Sequence, residues 1–270
     1  MKKLFYLLSL LMVFGMFLMV SCSKDDDNTD DDGGSGDLPK KIRITEHNDF
    51  QALDSTYHAF AYNDRKLLYK EVFRDKNKVA FIVLKHEYDT KDHPVRTLEY
   101  QDEAMSIAAS NTSYTLDASG LVVKAVNDRS GNITTIEYSY NSGLLAEAKI
   151  TYSGASTGYP EQRKFYWNND NVAKIEYLVD STGNGFTLVR YEEMEYDAKK
   201  NPYYDIKLPS MDPVWMSKNN ITKIKEYDPA GVFQHQTTFQ YTKYKNDFPE
   251  AGYYDYGFKQ GVYEYKYKEI

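Results

Sequence analysis

The 270 residues contain one cysteine, 8 prolines and 5 histidines. A single thiol excludes a disulfide framework and any all-thiolate metal site. The histidines, His47, His58, His86, His93 and His235, include no pair at four-residue spacing and no HExxH. This excludes a helical zinc-protease motif. There is no phosphate loop or dinucleotide fingerprint. Excess positive charge is also missing, since 33 basic residues face 40 acidic ones for a net charge of -7. That balance argues against nucleic acid as a partner. The body lacks any useful run of helical spacing. Tyrosine is plentiful, with 26 residues against 13 Phe and 2 Trp. Aromatic enrichment of this kind is a strand signal.

The long apolar run is confined to Leu4–Val20, 17 residues behind Lys2 and Lys3. It is marginal for a membrane span, which needs about 20 apolar residues. A charged start, an apolar run and small residues before the end form a secretory signal. Met19-Val20-Ser21-Cys22 closes the run, and this ending resembles a bacterial lipoprotein signal. The resemblance implies a signal peptide over 1–21, cleaved before Cys22, with lipid attached to that thiol. An uncleaved anchor helix is the rival reading. Residues 22–37 follow as an acidic Asp/Gly tether with no apolar residue after Cys22, and such a stretch cannot build a core. Ser23-Lys24-Asp25-Asp26-Asp27 resembles the lipoprotein export signal of Bacteroidetes. That resemblance implies a place on the outer membrane, lipid-anchored and facing the cell exterior. The 3 Lys and 7 Asp up to Asp37 carry most of the charge asymmetry. The remainder, 38–270, holds 30 basic and 33 acidic residues and is close to neutral. It reads as one domain.

The body repeats. Tyr62, Tyr88, Tyr114 and Tyr140 are 26 residues apart, and Trp167, Tyr196 and Tyr227 follow at 27, 29 and 31. Most precede a turn residue: Asn63, Asp89, Asn141, Asn168, Asp197 or Asp228. The Tyr114 copy departs, with its turn later at Asp117-Ala118-Ser119-Gly120. Flanking segments alternate, as in Tyr263, Tyr265 and Tyr267 against Glu264, Lys266 and Lys268. Period-2 alternation broken by Asn, Asp and Gly reads as antiparallel hairpins. The expected fold is an all-β up-and-down meander of about 14–18 strands, from half a repeat per strand. A round barrel of that size would hold an aqueous lumen. A lipid-facing wall would place Lys in the bilayer at about 2–4 kcal/mol each. The expectation is therefore a soluble body, either a flattened barrel or a long twisted sheet folded on itself, with Tyr and aliphatic residues inward. Tyr88, Tyr140 and Trp167 are expected to lie buried at strand ends.

Two resemblances follow from these residues. The Tyr-Asp/Asn, Gly, aliphatic pattern resembles the Tyr-Asp repeats of wrapping β-proteins. Lys200-Asn201-Pro202-Tyr203-Tyr204, Leu208-Pro209 and Ser217–Ile224 resemble a stretch of Bacteroidetes lipoproteins whose domain of unknown function is described as porin-like in fold. The latter implies a fold and a location, with no activity or catalytic residue.

Chemistry-bearing groups are sparse. Glu193 and Glu195 share one strand face, where solvated charges are the ordinary outcome. A hydrolytic pair would need two carboxylates about 5–10 Å apart in a cleft. The oxygen-rich stretches Asn168–Asn171 and Asp180–Gly185 match no calcium loop and read as turns. Asn201–Asn219 breaks the repeat with Pro202, Pro209 and Pro213. It holds the candidate ligand-binding residues Tyr203, Tyr204 and Trp215, since long segments on a rigid scaffold often carry binding. The competing role for Trp215 is to plug an open end of the sheet. The expected function is a non-catalytic, lipid-anchored surface protein. It would use no cofactor or metal and would bind or scaffold an extracellular glycan or protein. A glycan-binding module for nutrient uptake and an extracellular hydrolase are the alternatives.

Overall fold

The computed structural model describes residues 42–50, 55–155, 158–206, 208–257 and 260–270. The signal, Cys22 and the tether lie outside them. The strands are β1 (Ile42–Phe50), β2 (Thr56–Tyr62), β3 (Leu68–Arg74), β4 (Ala80–Tyr88), β5 (Pro94–Tyr100), β6 (Ala108–Leu116), β7 (Val122–Arg129) and β8 (Asn132–Asn141). They continue as β9 (Leu144–Ser153), β10 (Glu161–Asn168), β11 (Asn171–Val179), β12 (Thr187–Lys200), β13 (Asn219–Tyr227), β14 (Phe233–Lys245), β15 (Phe248–Asp255) and β16 (Gln260–Glu269). One helix of four residues, α1 (Pro213–Met216), lies between β12 and β13. Each strand pairs antiparallel with its sequence neighbours, and β1 pairs with β16 from Ile42↔Glu269 to Phe50↔Val262. Of the two architectures expected, the closed barrel is the one adopted. Closure removes both sheet edges.

The tyrosine repeat has a geometric origin. At the end of most even-numbered strands, an inward ring donates a hydrogen bond to a carbonyl of the strand before it. The pairs are Tyr62 to Ile44 (3.0 Å), Tyr88 to Leu68 (2.6 Å) and Tyr140 to Val122 (2.7 Å). Trp167 to Leu145 (2.7 Å), Tyr196 to Val172 (2.7 Å), Tyr241 to Ile221 (2.9 Å) and Tyr267 to Pro249 continue the girdle. In several hairpins the register shifts beside the ring, at Ala61/Tyr62, Glu87/Tyr88, Ser139/Tyr140 and Tyr166/Trp167. Such bulges add local twist. The next residue closes the turn: Asn63 Oδ1 accepts from the Arg65 and Leu67 amides, and Asp89 Oδ1 from those of Lys91 and His93. These are side-chain-capped turns of the Asx kind.

Three details differ from the sequence reading. Tyr88, Tyr140 and Trp167 are half-buried, because the girdle sits at the rim. On β6, Tyr114 turns its hydroxyl to Thr97 Oγ1 (2.9 Å) rather than to a carbonyl. Tyr227 is not a girdle residue. It lies on an odd strand, stacked outside against Tyr191 (4.9 Å between centroids), and Tyr241 takes the inward place. A count of residues cannot record which strand of a hairpin a ring stands on.

The lumen is filled. One buried cluster joins Val122, Ala125, Ile136, Leu145, Ala148 and Ile175 to Met211 and Met216. A second joins Ile44, Phe60 and Leu68 to Tyr203, Ile206 and Leu208. The β12–β13 connection therefore runs inside the barrel as a plug shared by both clusters. It enters at the girdle end, the end at which β1 starts and β16 finishes.

Candidate functional site

The plug is fastened at its base. Asn201 Nδ2 donates to the carbonyls of Ser217 (2.6 Å) and Val214, and its Oδ1 accepts from the Tyr203 amide (3.0 Å). Ser217, fully buried, accepts from the Val172 amide at 3.1 Å and lies 2.9 Å from the Tyr196 hydroxyl. Asp212 caps α1 by accepting from the Val214 amide at 2.8 Å. Burial pushes the Asp212 carboxyl up to about 6 against that bond. Arg43 on β1 pairs with Asp205 at 2.8 Å.

The three candidate residues are thus divided. Tyr203 is 3% exposed, packs on Trp215 (4.8 Å between centroids) and sets its hydroxyl 2.6 Å from His47 Nδ1. Trp215 is half-buried against Phe60 and Tyr203. Tyr204 is half-buried in the same connection. Trp215 packs against the second cluster from inside the barrel.

Two cavities flank the plug. The smaller, about 40 Å³, lies between Trp215, Leu208 and a chain of polar side chains on four adjacent strands, β3 to β6. Glu71, 2% exposed, accepts from His58 (2.8 Å) and His86 (2.9 Å). His86 Nδ1 meets Thr97 Oγ1 at 2.9 Å, and Thr97 meets the Tyr114 hydroxyl at 2.9 Å. Burial alone would raise Glu71, but hydrogen bonds from His58 and His86 outweigh it and hold the carboxyl down at about 2. A satisfied buried network of this kind specifies one arrangement of the strands it joins.

The larger cavity, about 130 Å³, lies between the plug and the wall formed by β13–β16 and β1. Its lining holds Tyr241, Tyr254, Tyr256, Tyr263 and Tyr265, with Asp49 as the charged member. His47 also borders it and stacks on Tyr265 at 4.6 Å. Burial, helped by repulsion from His58, lowers His47 to about 3, so its imidazole is neutral near pH 7. Tyr254 donates to both Asp49 oxygens, at 2.9 and 3.1 Å. Among the described residues no group of three or more His, Cys, Asp or Glu could hold a metal ion.

The carboxylates weighed for hydrolysis are placed elsewhere. Glu195 lies on the outer wall, paired with Lys223 (3.0 Å) and Lys225 (2.6 Å). Inside, Glu192 and Glu226 converge, but on the Arg190 guanidinium, and neither lines these two cavities. Sequence reasoning missed His47, His58, Glu71 and His86 as a set. The available signal was the alternation His58-Ala59-Phe60-Ala61-Tyr62, which turns His58 to the same side as two inward rings.

No family model matches the chain, and no curated protein matches it. Its fold is similar to that of solved structures. A porin-like protein from Bacteroides uniformis shares 14% identity at a TM-score of 0.53, over 85% of this chain and 97% of the other. A porin-like protein from Bacteroides vulgatus shares 10% identity at a TM-score of 0.58, over 85% and 100%. At such identities the likeness is one of fold.

Proposed function

We propose that the protein is a lipid-anchored barrel on the outer membrane that faces the cell exterior. In this role it is a non-catalytic binding or scaffolding protein, with a plugged lumen and no pore activity. The observation that carries this reading is the outer wall. Ion pairs stand on its strands around the barrel: Lys85–Glu87 (3.0 Å), Arg96–Glu87 (2.5 Å), Lys174–Glu176 (2.8 Å), Lys223–Glu195 and Lys266–Glu46 (2.5 Å). Basic side chains at bilayer mid-depth cost about 2–4 kcal/mol each. The filled lumen points the same way. Cys22 supplies the membrane attachment that the wall does not. The chain reaches β1 at the girdle end, so the plugged end faces the membrane and the opposite turns face outward.

The test is electrical. Purified protein added to planar lipid bilayers should give no stepwise conductance. Discrete channels that disappear when the barrel is unfolded would overturn the reading.

A glycan platform on the outer wall has weaker support. Tyr166, Tyr191, Tyr227 and Phe233 do form a line there, but Tyr191 has Tyr227 against one side and the Lys174 ammonium 4.3 Å from its centroid. A sugar stacks on a ring face, and at Tyr191 and Tyr227 neighbours engage it.

A further inference from the structure

Beside the plug, one row of paired residues crosses five strands of the inner wall. Tyr138 on β8 pairs with Ala148 on β9, and Ala148 with Arg163 on β10. Arg163 then pairs with Tyr177 on β11, and Tyr177 with Arg190 on β12. Directly opposed residues share one face of a sheet. Tyr138 and Ala148 belong to the inner cluster that holds Met211 and Met216, so the whole row faces the lumen. Solvent reaches it there, since the Arg190 side chain is 35% exposed.

The two arginines are used differently. Arg190 stacks 3.7 Å above the Tyr177 ring and meets both Glu192 and Glu226. Arg163 is more buried, with a side chain 14% exposed, and makes no hydrogen bond among the described residues. Its ion pair with Glu161 is long, at 3.6 Å, and the other Glu161 oxygen accepts from the Tyr152 hydroxyl at 2.8 Å. Across the small Ala148 stands Tyr138, 6% exposed, its hydroxyl buried and also without an acceptor. Buried donors left unpaired are costly to a fold. Two of them flanking one alanine form a seat for an acceptor, and a guanidinium fork matches a carboxylate with two parallel bonds.

The plug supplies the opposite charge. Asp212 accepts from the Val214 amide through Oδ1, and its Oδ2 accepts no hydrogen bond among the described residues. Arg163 and Glu192 both act on this carboxyl electrostatically, with opposite signs, yet no ion pair joins Asp212 to Arg163. A bare carboxylate on Arg163 would be repelled by Asp212, and a bare ammonium at Asp212 by Arg163. A ligand that carries both charges satisfies both groups.

We propose that Tyr138, Arg163 and Asp212 form a seat for a small zwitterion of the amino acid class, its carboxylate on the Arg163 fork and the Tyr138 hydroxyl and its ammonium at Asp212. This gives the binding role a ligand class and rests on the plugged-barrel reading, because Asp212 stands on the plug.

The experiment is calorimetric titration of the full chain in detergent. The probes are glycine and 4-aminobutyrate, which set the two charges at different separations, each beside the carboxylate that lacks the ammonium, acetate or butyrate. At least one zwitterion should bind at least tenfold more tightly than its matched carboxylate. Arg163→Gln should weaken that zwitterion at least tenfold, and Asp212→Asn and Tyr138→Phe at least threefold each. No heat from either zwitterion at tens of millimolar, or equal affinity for zwitterion and carboxylate, would overturn the proposal. So would unchanged binding to Tyr138→Phe, which removes only a hydroxyl that bonds to nothing in the fold. If Arg163→Gln fails to fold, the matched probes on the natural chain still decide. The bilayer recordings are independent. Silent bilayers with no zwitterion heat reject the seat alone, and channel currents reject the reading beneath it.

Discussion

The hydroxyl of Tyr140 donates to the carbonyl of Val122 at 2.7 Å, joining the end of β8 to the start of β7. The contact lies where the register slips beside Tyr140, and its equivalents recur around the rim. One aromatic residue thus fills the inner rim and satisfies a carbonyl there.

The first prediction separates these two roles. Tyr140→Phe keeps the ring and loses the bond, and should cost about 0.5–1.5 kcal/mol. Tyr140→Ala loses both and should cost about 3–5 kcal/mol, as for large rings removed from cores. Lys266→Ala breaks a surface pair with Glu46 and should change stability by less than about 1 kcal/mol. Denaturant midpoints of the three variants check this ordering. Equal midpoints for Tyr140→Ala and Lys266→Ala would show that the rim rings are not structural.

The second prediction concerns acid. His47 stays neutral in the fold down to about pH 3, whereas an unfolded histidine protonates near 6.5. Between those values the unfolded chain binds the extra proton, so stability falls as pH falls. Glu71 adds to the loss as pH drops from the ordinary carboxyl range, near 4.5, toward 2. Asp212 opposes both. Its folded value near 6 lies above the unfolded one, so its contribution weakens as pH rises from about 4 to 6. The clean window for His47 is therefore pH 7.5 down to 6. There, stability should drop with a slope approaching 1 kcal/mol per pH unit. His47→Leu should flatten that slope, and parallel urea titrations of both proteins would show it. Identical slopes would mean that the imidazole is not held neutral.

A third prediction tests the anchor. Cys22→Ala should leave a precursor with the signal attached and no lipid, read by incorporation of labelled fatty acid. Label entering the variant would refute the assignment. Replacement of Lys24–Asp27 by neutral residues should keep the lipid but bring the protein to the periplasmic face. Protease added to intact cells should then no longer cut it. Undiminished cutting would return the acidic run to the role of a plain spacer.

The strand count and direction were legible because each hairpin carries its own local marks. Asn63 and Asp89 write their turns within four residues, and the Tyr263, Tyr265, Tyr267 alternation writes a face. What was illegible depends on distance along the chain. His47 and Tyr203 touch across 156 residues, and nothing local in either segment names the other. The plug read as an end cap or a binding loop because Pro, Tyr, Met and Trp suit both, and its burial follows from closure of the barrel around it. Tyr227 misled because its spacing fits the repeat while its strand has the opposite parity. The pairings of Gly252 with Tyr263 and of Gly261 with Tyr254, across β15 and β16, were hidden for another reason. A glycine in a strand ordinarily reads as weakness, and its use here appears only when the facing ring is known.

Closure through β1 and β16 also sets a schedule. The pair Arg43↔Lys268 joins residues separated by almost the whole body. Until β16 has been made and delivered, β1 presents one unpaired edge and the growing sheet presents another. Loop-closure entropy makes so distant a pairing slow. An open sheet of alternating tyrosines is, in the meantime, a template for a second copy. Folding must therefore either outrun that pairing or keep the edges covered until the ring can shut.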